Sequence, residues 1–300
     1  MKLPLVSIIT VNYNQSNVTR SFLLSLRKIS YDNIEIIVVD NASPSDTPEE
    51  LKKEFPEIIL LESEVNLGFA GGNNLGVEKA KGDYCLFINN DTEVEPNFLE
   101  PLVQRFQMDK SIGMVSPKIR FFHTPETIQY AGYTPFHRVT LRQHLIGFRT
   151  IDSGQFDEGR YTFAGHGAAM MVSSVVMEKI GVMAEMFFLY YEEHDWCERI
   201  KRGGYKVYYE PKSLVFHKES VSTGKDSPLK AYYLTRNRIV FARRNVKGFT
   251  KLFTLVYLFT LVPLNFSLRY LKMKQVKQFK AAWKGMLWNL VHFGKSINGN

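Results

Sequence analysis

Cysteine is scarce in this 300-residue sequence, which has only Cys85 and Cys197. Their spacing fits neither a disulfide framework nor a cysteine zinc site, so we expect a protein of a reducing compartment. The sequence also lacks internal repeats and low-complexity tracts. Near the N-terminus the apolar run "LVSIITV" has the length of a strand, and we expect no secretory leader there.

Acidic residues are missing from the last quarter of the chain. From Leu229 to Asn300 there are 14 lysines and arginines but no Asp or Glu, whereas residues 1–228 contain 24 basic and 30 acidic side chains. A mildly acidic body therefore carries a strongly basic tail. Such a tail predicts an anionic partner surface, either a membrane or a nucleic acid.

Strand and helix patterns alternate over the first hundred residues. Apolar, β-branched runs predict strands at 5–11, 34–40, 57–63 and 84–89. Helical spacing predicts a helix at 17–29, a short polar helix after the second strand, and a glycine-rich turn entering a helix that ends at Gly82. Continuous apolar strands alternating with helices predict an α/β protein whose parallel sheet is covered on both faces.

The pattern is less regular after residue 96. It predicts a helix at 97–108, a strand at 112–122 and a loop-rich stretch at 123–160. A strand entering a helix follows at 164–174, then a helix at 192–204 and two short strands, "KVYYEP" and "SLVFHKE". Only helical patterns follow Pro228.

Polar residues follow two of the predicted strands at the point where each ends. Asp40 ends the second strand, and "NNDTE" follows the buried run "CLFI" of the fourth. The carboxyl ends of parallel strands meet at one edge of a sheet, where α/β proteins hold ligands. An aspartate there could accept hydrogen bonds from a base or ribose, or bind a divalent metal with substrate phosphates. Each residue alone also fits a polar turn, but together they predict nucleotide binding.

Seven blocks in order resemble family 2 glycosyltransferases of the GT-A fold. They are "VSIITVNYN", "VVDNAS", "NLGFAGGNNLG", "FINNDTEVEP", "GHGAAMMV", "YYEEHDWCERIKRGGYKVYYEP" and "LVFH", and they span about residues 4–245. The branch with bacterial rhamnosyl- and galactofuranosyltransferases is the most similar. The resemblance implies a Rossmann-like, mostly parallel sheet in a catalytic domain over 1–228, with a nucleotide-sugar half at about 1–115 and an acceptor half at about 116–228. Residues 229–300 would form a basic helical extension.

The resemblance also implies roles for individual residues. The nucleotide would be bound by Val11, Tyr13, Asp40, Asn66, Gly72, Asn73 and Asn90. A divalent cation, Mn²⁺ or Mg²⁺, would be bound by Asp91, within the counterpart of the family's DxD motif, and by His217. The general base would be Glu193, with Asp195 and then Glu192 as rivals. The donor sugar or acceptor would lie against Gly165, His166 and Gly167.

Several of these residues also suit ordinary structural positions. Glu192 and Glu193 would favour a helix N-terminus, and His217 would suit a hydrogen-bonded position at a sheet end. Asn89 stands where many members of the family have the first Asp of the motif. An amide is a weaker, neutral metal ligand, which leaves the metal preference open.

The resemblance implies a metal-dependent, inverting glycosyltransferase of cell-surface polysaccharide synthesis. It would transfer a sugar, rhamnose first, from a dTDP- or UDP-sugar to a hydroxyl of a glycan or lipid-linked saccharide. One alternative is a sugar nucleotidyltransferase, but "VNYNQSNVTR" lacks the glycine-rich basic loop expected after its first strand. The other is a membrane-bound scaffold that has lost catalysis, which the amide at Asn89 keeps open.

The basic tail combines charge with apolar stripes. Residues 252–268 form a 17-residue uncharged run, short for a spanning helix and broken by Pro263. A second helical stripe is flanked by Lys277, Lys280 and Lys284. This pattern predicts a helix in an anionic membrane interface, and hence a cytoplasmic enzyme peripheral to the inner face of the plasma membrane. A helical hairpin packed on the catalytic domain, or on a second copy in a homodimer, is the alternative. Nucleic acid is disfavoured because no nucleic-acid motif is present.

Overall fold

The computed structural model describes residues 3–218 and 227–293. Its strands are β1 (Val6–Asn12), β2 (Ile34–Asp40), β3 (Ile58–Glu62), β4 (Tyr84–Ile88), β5 (Thr92–Val94), β6 (Ile112–Phe121), β7 (Thr124–Tyr130), β8 (Arg160–Thr162), β9 (Ala169–Ser173) and β10 (Lys206–His217). Its helices are α1 (Ser16–Leu26), α2 (Pro48–Glu54), α3 (Gly68–Val77), α4 (Leu99–Met108), α5 (Ser174–Ile180), α6 (Glu192–Arg202), α7 (Pro228–Asn245), α8 (Gly248–Lys272) and α9 (Val276–Val291). A 3-10 turn occupies Glu185–Phe187.

The strands form one mixed sheet in the order β3-β2-β1-β4-β9-β6-β10-β5, with β7 beside β6 and β8 beside β10. The first four strands are parallel, as the apolar runs predict, and β6 and β10 are parallel to each other. The strand β9 lies antiparallel between β4 and β6. This inserted strand joins the β3-β2-β1-β4 part of the sheet to the part formed by β6, β10 and β5.

Successive residues of the central strands point to opposite faces, and both faces are buried. On one face Ile8, Val38 and Leu86 pack with the apolar sides of α1 and α4. On the other, Ile9 and Phe87 pack with α3, α5 and α6. Because both faces are covered, the polar ends of the strands are the part of the sheet that is free to meet a ligand.

The glycine-rich segment after β3 lies inside α3, where the sequence predicted a turn that enters a helix. The glycines occur within the helix because this segment packs closely against β1. A Cβ atom at Gly76 would lie 2.5 Å from Ile9 Cγ2, and one at Gly72 would lie 3.1 Å from Val11 Cγ1. Glycine therefore allows the helix backbone to approach the sheet, at the expense of intrinsic helix propensity.

The two short strands predicted after α6 form one strand, β10, which has an irregularity between Glu210 and Leu214. Pro211 lies in this stretch. Since proline cannot donate a ladder hydrogen bond, a local interruption of the pairing is expected there. The strand resumes and carries His217 to the same edge of the sheet as the end of β4.

The helices α7, α8 and α9 pack into a group with its own apolar core, which includes Phe241, Leu258 and Met286. Helix α8 passes through Pro263 without ending, contrary to the predicted break. Gly285 of α9 allows close packing on α7, since a Cβ there would lie 2.4 Å from the Tyr232 carbonyl oxygen. Lys295, which belongs to the basic tail, lies outside the described residues.

The helical tail also packs against the sheet domain. The side-chain amide of Asn237 donates hydrogen bonds of 2.8 Å to the carbonyls of Phe187, Leu189 and Tyr190. This connection fixes α7 beside the turn that leads into α6. The outer face of α8 remains exposed, and only 22% of its most apolar stretch is buried.

Candidate active site

A hydrogen-bonded chain joins the ends of β1, β2 and β4. Asn12 donates to Asp40 Oδ1 at 2.8 Å, and Thr19 donates from its hydroxyl to Asn12 Oδ1 at 2.8 Å. The amide of Asn90 then donates to Thr19 Oγ1 at 2.9 Å. Asp40 also accepts hydrogen bonds from the backbone and hydroxyl of Ser43. The predicted residues Asp40 and Asn90 are thereby held at one edge, through residues that the sequence pattern had not singled out.

The first turn of α3 lies against the same edge. Gly72 is close to Val11 and Asn41, and Asn41 donates to Asn66 Oδ1 at 3.2 Å. These residues pack the start of α3 against the ends of β1 and β2. Tyr13, at the edge of the sheet, is 38% exposed and can contact a ligand.

Asn73 differs from the other predicted nucleotide-binding residues. It is 1% exposed, and its amide donates to the Phe69 carbonyl within α3 at 2.8 Å. That environment supports a role in the helix itself rather than direct contact with a nucleotide. Asn41, in contrast, joins the end of β2 to the segment before α3, because it donates to Asn66 Oδ1 and accepts from the Leu67 N–H.

Asp91 and His217 meet at the same sheet edge. Asp91 Oδ1 lies 3.0 Å from His217 Nε2, and the other ring nitrogen of His217 lies 2.8 Å from Gln129 Oε1. Since the Gln129 oxygen can only accept, Nδ1 of His217 is the donor in that contact. The Nε2 atom therefore faces the carboxylate of Asp91. The side-chain nitrogen of Asn89 is 3.4 Å from the same Nε2.

This arrangement fits a divalent cation that draws most of its ligands from a substrate. Metal-bound histidines usually donate their second ring N–H to a fixed acceptor, as His217 does to Gln129. Asp91 adds a carboxylate oxygen, a ligand preferred by Mg²⁺ and Mn²⁺. Across the described parts of the chain, no cluster of three or more acidic, histidine or cysteine side chains could hold a metal ion. The remaining ligands would therefore be diphosphate oxygens or water.

Glu193, the predicted general base, lies in the first turn of α6 and has one carboxylate oxygen without a hydrogen-bond partner among the described residues. Its Oε1 lies 3.6 Å from His194 Nε2. Its Oε2 is buried and has no hydrogen-bond partner within the described residues. A Cβ atom at Gly167 would lie 3.9 Å from the carboxyl carbon of Glu193, so the backbone of Gly167 borders this group without a side chain. An unpartnered carboxylate oxygen can accept a proton from a substrate hydroxyl that reaches it.

The carboxyl groups of Glu192 and Asp195, close to Glu193 in the sequence, have different environments. Burial, together with the charge of Glu193, raises the pKa of Glu192 well above its usual range, which favours the protonated form of Glu192. Burial also opposes ionisation of Asp195, but hydrogen bonds and charge from Arg244 outweigh it and lower the pKa of Asp195.

Asp195 is fully buried within an ion-pair network. Arg199 Nε is 3.1 Å and Arg244 Nε is 2.9 Å from its oxygens, and Asn245 donates to it at 2.8 Å. A carboxylate with these partners can neither reach a substrate nor readily accept its proton. The structure thus corrects the alternative assignment of Asp195 as the base, and gives it the role of joining α6 to α7.

His166 lies between the two ends of the site. Its ring centroid is 6.2 Å from that of His217, and Gly167 next to it borders Glu193. Burial, followed by the charges of His217 and His194, lowers the pKa of His166 to about 3, so it is neutral. Its Nδ1 accepts from the Ala168 backbone at 3.1 Å, which leaves Nε2 as the N–H donor. His166 is thus a neutral N–H donor that lies between the Asp91–His217 pair and Glu193.

Gly165, predicted beside the donor sugar, is buried in packing contacts. Its backbone N–H donates to Cys197 Sγ at 3.3 Å, and a Cβ there would lie 2.7 Å from Met114 Sδ. Two aromatic neighbours of the site were not predicted. Tyr133 and His194 stack edge-to-face with centroids 5.2 Å apart, close to Glu193. The sequence gives little indication that Tyr133 lies near the site, because this residue belongs to the loop-rich stretch without a regular pattern.

Known proteins share both sequence and fold with this chain. The model of glycosyl transferase family 2 matches residues 7–176. The low-salt glycan biosynthesis hexosyltransferase Agl10 of Haloferax volcanii is 28% identical over 240 residues, which cover 78% of this chain and 74% of that protein. An N-acetylglucosaminyl-diphospho-decaprenol L-rhamnosyltransferase of Mycobacterium tuberculosis is 22% identical over 242 residues, covering 73% of this chain and 78% of that protein.

Solved structures confirm the predicted GT-A fold. The structure of GalNAc-T7 with UDP, GalNAc and Mn²⁺ has a TM-score of 0.66 at 18% identity, over 80% of this chain and 48% of that one. The mannosyltransferase PcManGT from Pyrobaculum calidifontis, in complex with GDP-Man and Mn²⁺, has a TM-score of 0.60 at 16% identity, over 97% of this chain and 76% of that one. With a family model that spans more than half of its length, the chain belongs to glycosyl transferase family 2.

Proposed function

We propose that this glycosyltransferase is metal-dependent and inverts the anomeric carbon, moving a sugar from a nucleoside diphosphate to an acceptor hydroxyl. The observation that carries the proposal is the unpartnered Oε2 of Glu193. Glu193 lies beside Gly167, and the neighbouring His166 ring has its centroid 6.2 Å from that of His217, the partner of Asp91. A proton acceptor and an anion-stabilising centre on two sides of a donor sugar are what a single displacement needs.

The reaction proceeds in one step on this assignment. The acceptor oxygen bonds to the anomeric carbon while the bond from that carbon to the diphosphate oxygen breaks, and Glu193 takes the hydroxyl proton. Asp91 and His217 would hold the divalent cation, which would supply positive charge to the departing diphosphate. Attack from the side opposite the leaving group gives inversion. Burial raises the pKa of Glu192 and disfavours its carboxylate form, and Asp195 is ion-paired, so both are less suited than Glu193 to act as the base.

We assign a dTDP- or UDP-sugar as the donor, with rhamnose first, and a glycan or lipid-linked saccharide of cell-surface polysaccharide synthesis as the acceptor. The support is the name of the Mycobacterium tuberculosis relative, whose sequence aligns over 73% of this chain. Asp40, Asn90 and Tyr13, at the edge of the sheet, would contact the nucleoside.

Helix α8 supports an attachment of the enzyme to the cytoplasmic face of a membrane. It is 25 residues long, with exposed Leu261, Leu264 and Leu268 on its outer surface. It is long and apolar enough to cross a bilayer by composition. Because the described tail carries lysines and arginines but no acidic residue, it also suits an anionic lipid surface.

A donor panel tests the proposal directly. Purified protein is incubated with dTDP-rhamnose, UDP-galactofuranose, UDP-N-acetylglucosamine and GDP-mannose, each with and without Mn²⁺, and released nucleoside diphosphate is measured. We expect slow, metal-dependent hydrolysis of one dTDP- or UDP-sugar. Calorimetry with the matching free diphosphates accompanies the assay, and failure of all of them to bind would overturn the proposal.

A further inference from the structure

A second pocket, of about 460 Å³, lies between α7 and α8. Its size falls in the range of small-molecule sites. Apolar side chains such as Leu258, Val262 and Phe266 form part of its wall. Four cationic side chains also line this basic pocket: Arg142, Lys230, Arg238 and Arg269.

The charges of the basic pocket are not neutralised within the described parts of the chain. None of its four cations takes part in an ion pair there, and no described acidic residue lines the pocket. The Nε of Arg238 is buried and has no hydrogen-bond partner among the described residues. Collecting like charges around a partly apolar cavity costs free energy unless an anion is bound. The basic pocket is therefore suited to phosphate oxygens.

An aromatic pocket lies beside the basic pocket. It is lined by Tyr133, Phe136, Tyr191 and His194, among others, and Tyr191 lines both pockets. His194 lies 3.6 Å from Glu193. A molecule with an anionic group in the basic pocket can therefore place its next group against aromatic rings, with a hydroxyl directed toward Glu193.

The opposite side of the basic pocket adjoins the exposed apolar face of α8. Val262, Phe266 and Arg269 line the pocket, while Leu261, Leu264 and Leu268 on the same turns are each more than half exposed. An aliphatic chain leaving the pocket would thus meet an apolar surface instead of water. A free nucleotide or inorganic phosphate has no part that would use this surface.

We propose that the basic pocket binds the phosphate groups of a lipid-linked acceptor. The acceptor's sugar then occupies the aromatic pocket in front of Glu193, and its lipid chain follows the outer face of α8. This inference rests on the proposed function and specifies its acceptor as a short saccharide on a lipid phosphate or diphosphate. The basic residues of α7 and α8 thus recognise a substrate in addition to a membrane surface.

The test compares two double variants that remove equal charge from the tail. Lys230→Gln with Arg269→Gln alters the basic pocket, whereas Lys272→Gln with Lys274→Gln removes exposed charges outside it. Transfer is measured in detergent micelles to a monosaccharide on an isoprenoid diphosphate and to the octyl glycoside of the same sugar. We expect the pocket variant to raise KM for the diphosphate acceptor at least tenfold. Its KM for the octyl glycoside and its donor hydrolysis should not change, and the control variant should match the wild type.

Binding is measured separately with farnesyl diphosphate, farnesyl phosphate and farnesol, in saturating UDP and Mn²⁺ so that the donor site is occupied. We expect the two phosphorylated probes to bind the wild type, and the pocket variant to lose at least tenfold in affinity. Absence of binding, or equal binding by farnesol, would overturn the inference. So would an unchanged KM in the pocket variant, and in that case continued transfer would leave the proposed function standing.

Discussion

Nε2 of His217 lies 3.0 Å from Oδ1 of Asp91. The contact is set by the sheet, because His217 pairs with Thr92 where β5 and β10 run antiparallel, and the Lys218 backbone donates to the Asp91 carbonyl at 2.8 Å. Gln129 holds the imidazole from its other nitrogen. Two side chains 126 positions apart in the sequence are thus oriented by strands, which leaves the proposed metal site little freedom to rearrange.

Asp91→Asn and His217→Ala should each weaken Mn²⁺ binding at least tenfold in the presence of UDP. Each change removes one of the two side chains assigned to the cation. Electron paramagnetic resonance of free Mn²⁺ during titration measures the affinity without any need for turnover. Glu93→Gln is the matched control, since Glu93 is nearby but pairs with Lys218. If the Asp91→Asn variant bound Mn²⁺ with wild-type affinity, Asp91 would not be a ligand of the cation.

Asn89→Asp should strengthen Mn²⁺ binding. The Asn89 side chain already lies 3.4 Å from His217 Nε2, so a carboxylate there adds a charged ligand close to Asp91. The same titration, carried out with and without UDP, measures the effect. The gain should be larger without UDP, because the diphosphate then supplies no ligands. A weaker or unchanged affinity would mean that Asn89 does not face the cation.

Glu193→Gln and Asp195→Asn should separate catalysis from stability. Glu193→Gln removes the proposed base and should lower kcat by about 10²–10⁴-fold with an unchanged melting temperature. Asp195→Asn leaves Arg199 and Arg244 without their carboxylate, and should destabilise the fold by about 3–5 kcal/mol. Chemical denaturation and single-turnover kinetics measure the two effects. The assignment would be reversed if the Asp195→Asn variant stayed folded and the Glu193→Gln variant kept the wild-type rate.

The sequence was sufficient to predict the position of a residue where that position follows from the local pattern of residue types. Apolar runs defined β1, β2 and β4 closely, so the order of residue types alone assigned Asp40 and Asp91 to strand ends. Asn12 gives the same signal, a polar residue that ends an apolar strand, and could have been selected too. Its bond to Asp40 depends on the β1–β2 register, and that register is set by the hydrophobic pattern of both strands.

The errors arose where tertiary contacts override local preference. Glycine usually signals a turn, but at Gly76 the contact with Ile9 makes it the residue that fits a helix packed on a sheet. Asp195 resembled a catalytic carboxylate because its partner Arg244 is 49 residues away along the chain. The direction of β9 is likewise not encoded in its apolar composition.

Glu192→Gln should stabilise the protein increasingly as pH rises above about 4.5. The folded state holds the Glu192 proton to a higher pH than the unfolded state does, because burial and the Glu193 charge raise its folded pKa. In that window the unfolded chain binds fewer protons, so the wild type loses up to about 1.4 kcal/mol of unfolding free energy per pH unit. Glutamine does not titrate and avoids this loss.

Thermal unfolding of the Glu192→Gln variant and wild type from pH 4 to pH 8 measures the difference. Near pH 4 the two melting temperatures should agree, and the variant should be the more stable at pH 7. Glu198→Gln, on the same helix but partly exposed and paired with Lys201, serves as the matched control. A constant difference across the range would show that Glu192 does not carry its proton into the folded state.

Replacing Leu261, Leu264 and Leu268 of α8 by serine should weaken vesicle binding more than tenfold. Burial of a leucine side chain contributes about 1.5–3 kcal/mol, and these three are exposed together on one helix. Co-sedimentation with vesicles of anionic phospholipid measures the partitioning. The control replaces Val65, Met108 and Val175 by serine, since these side chains are equally exposed but scattered over the sheet domain. Equal losses in both variants, or none in either, would mean that α8 is not the membrane-binding surface and that its apolar face is covered by protein.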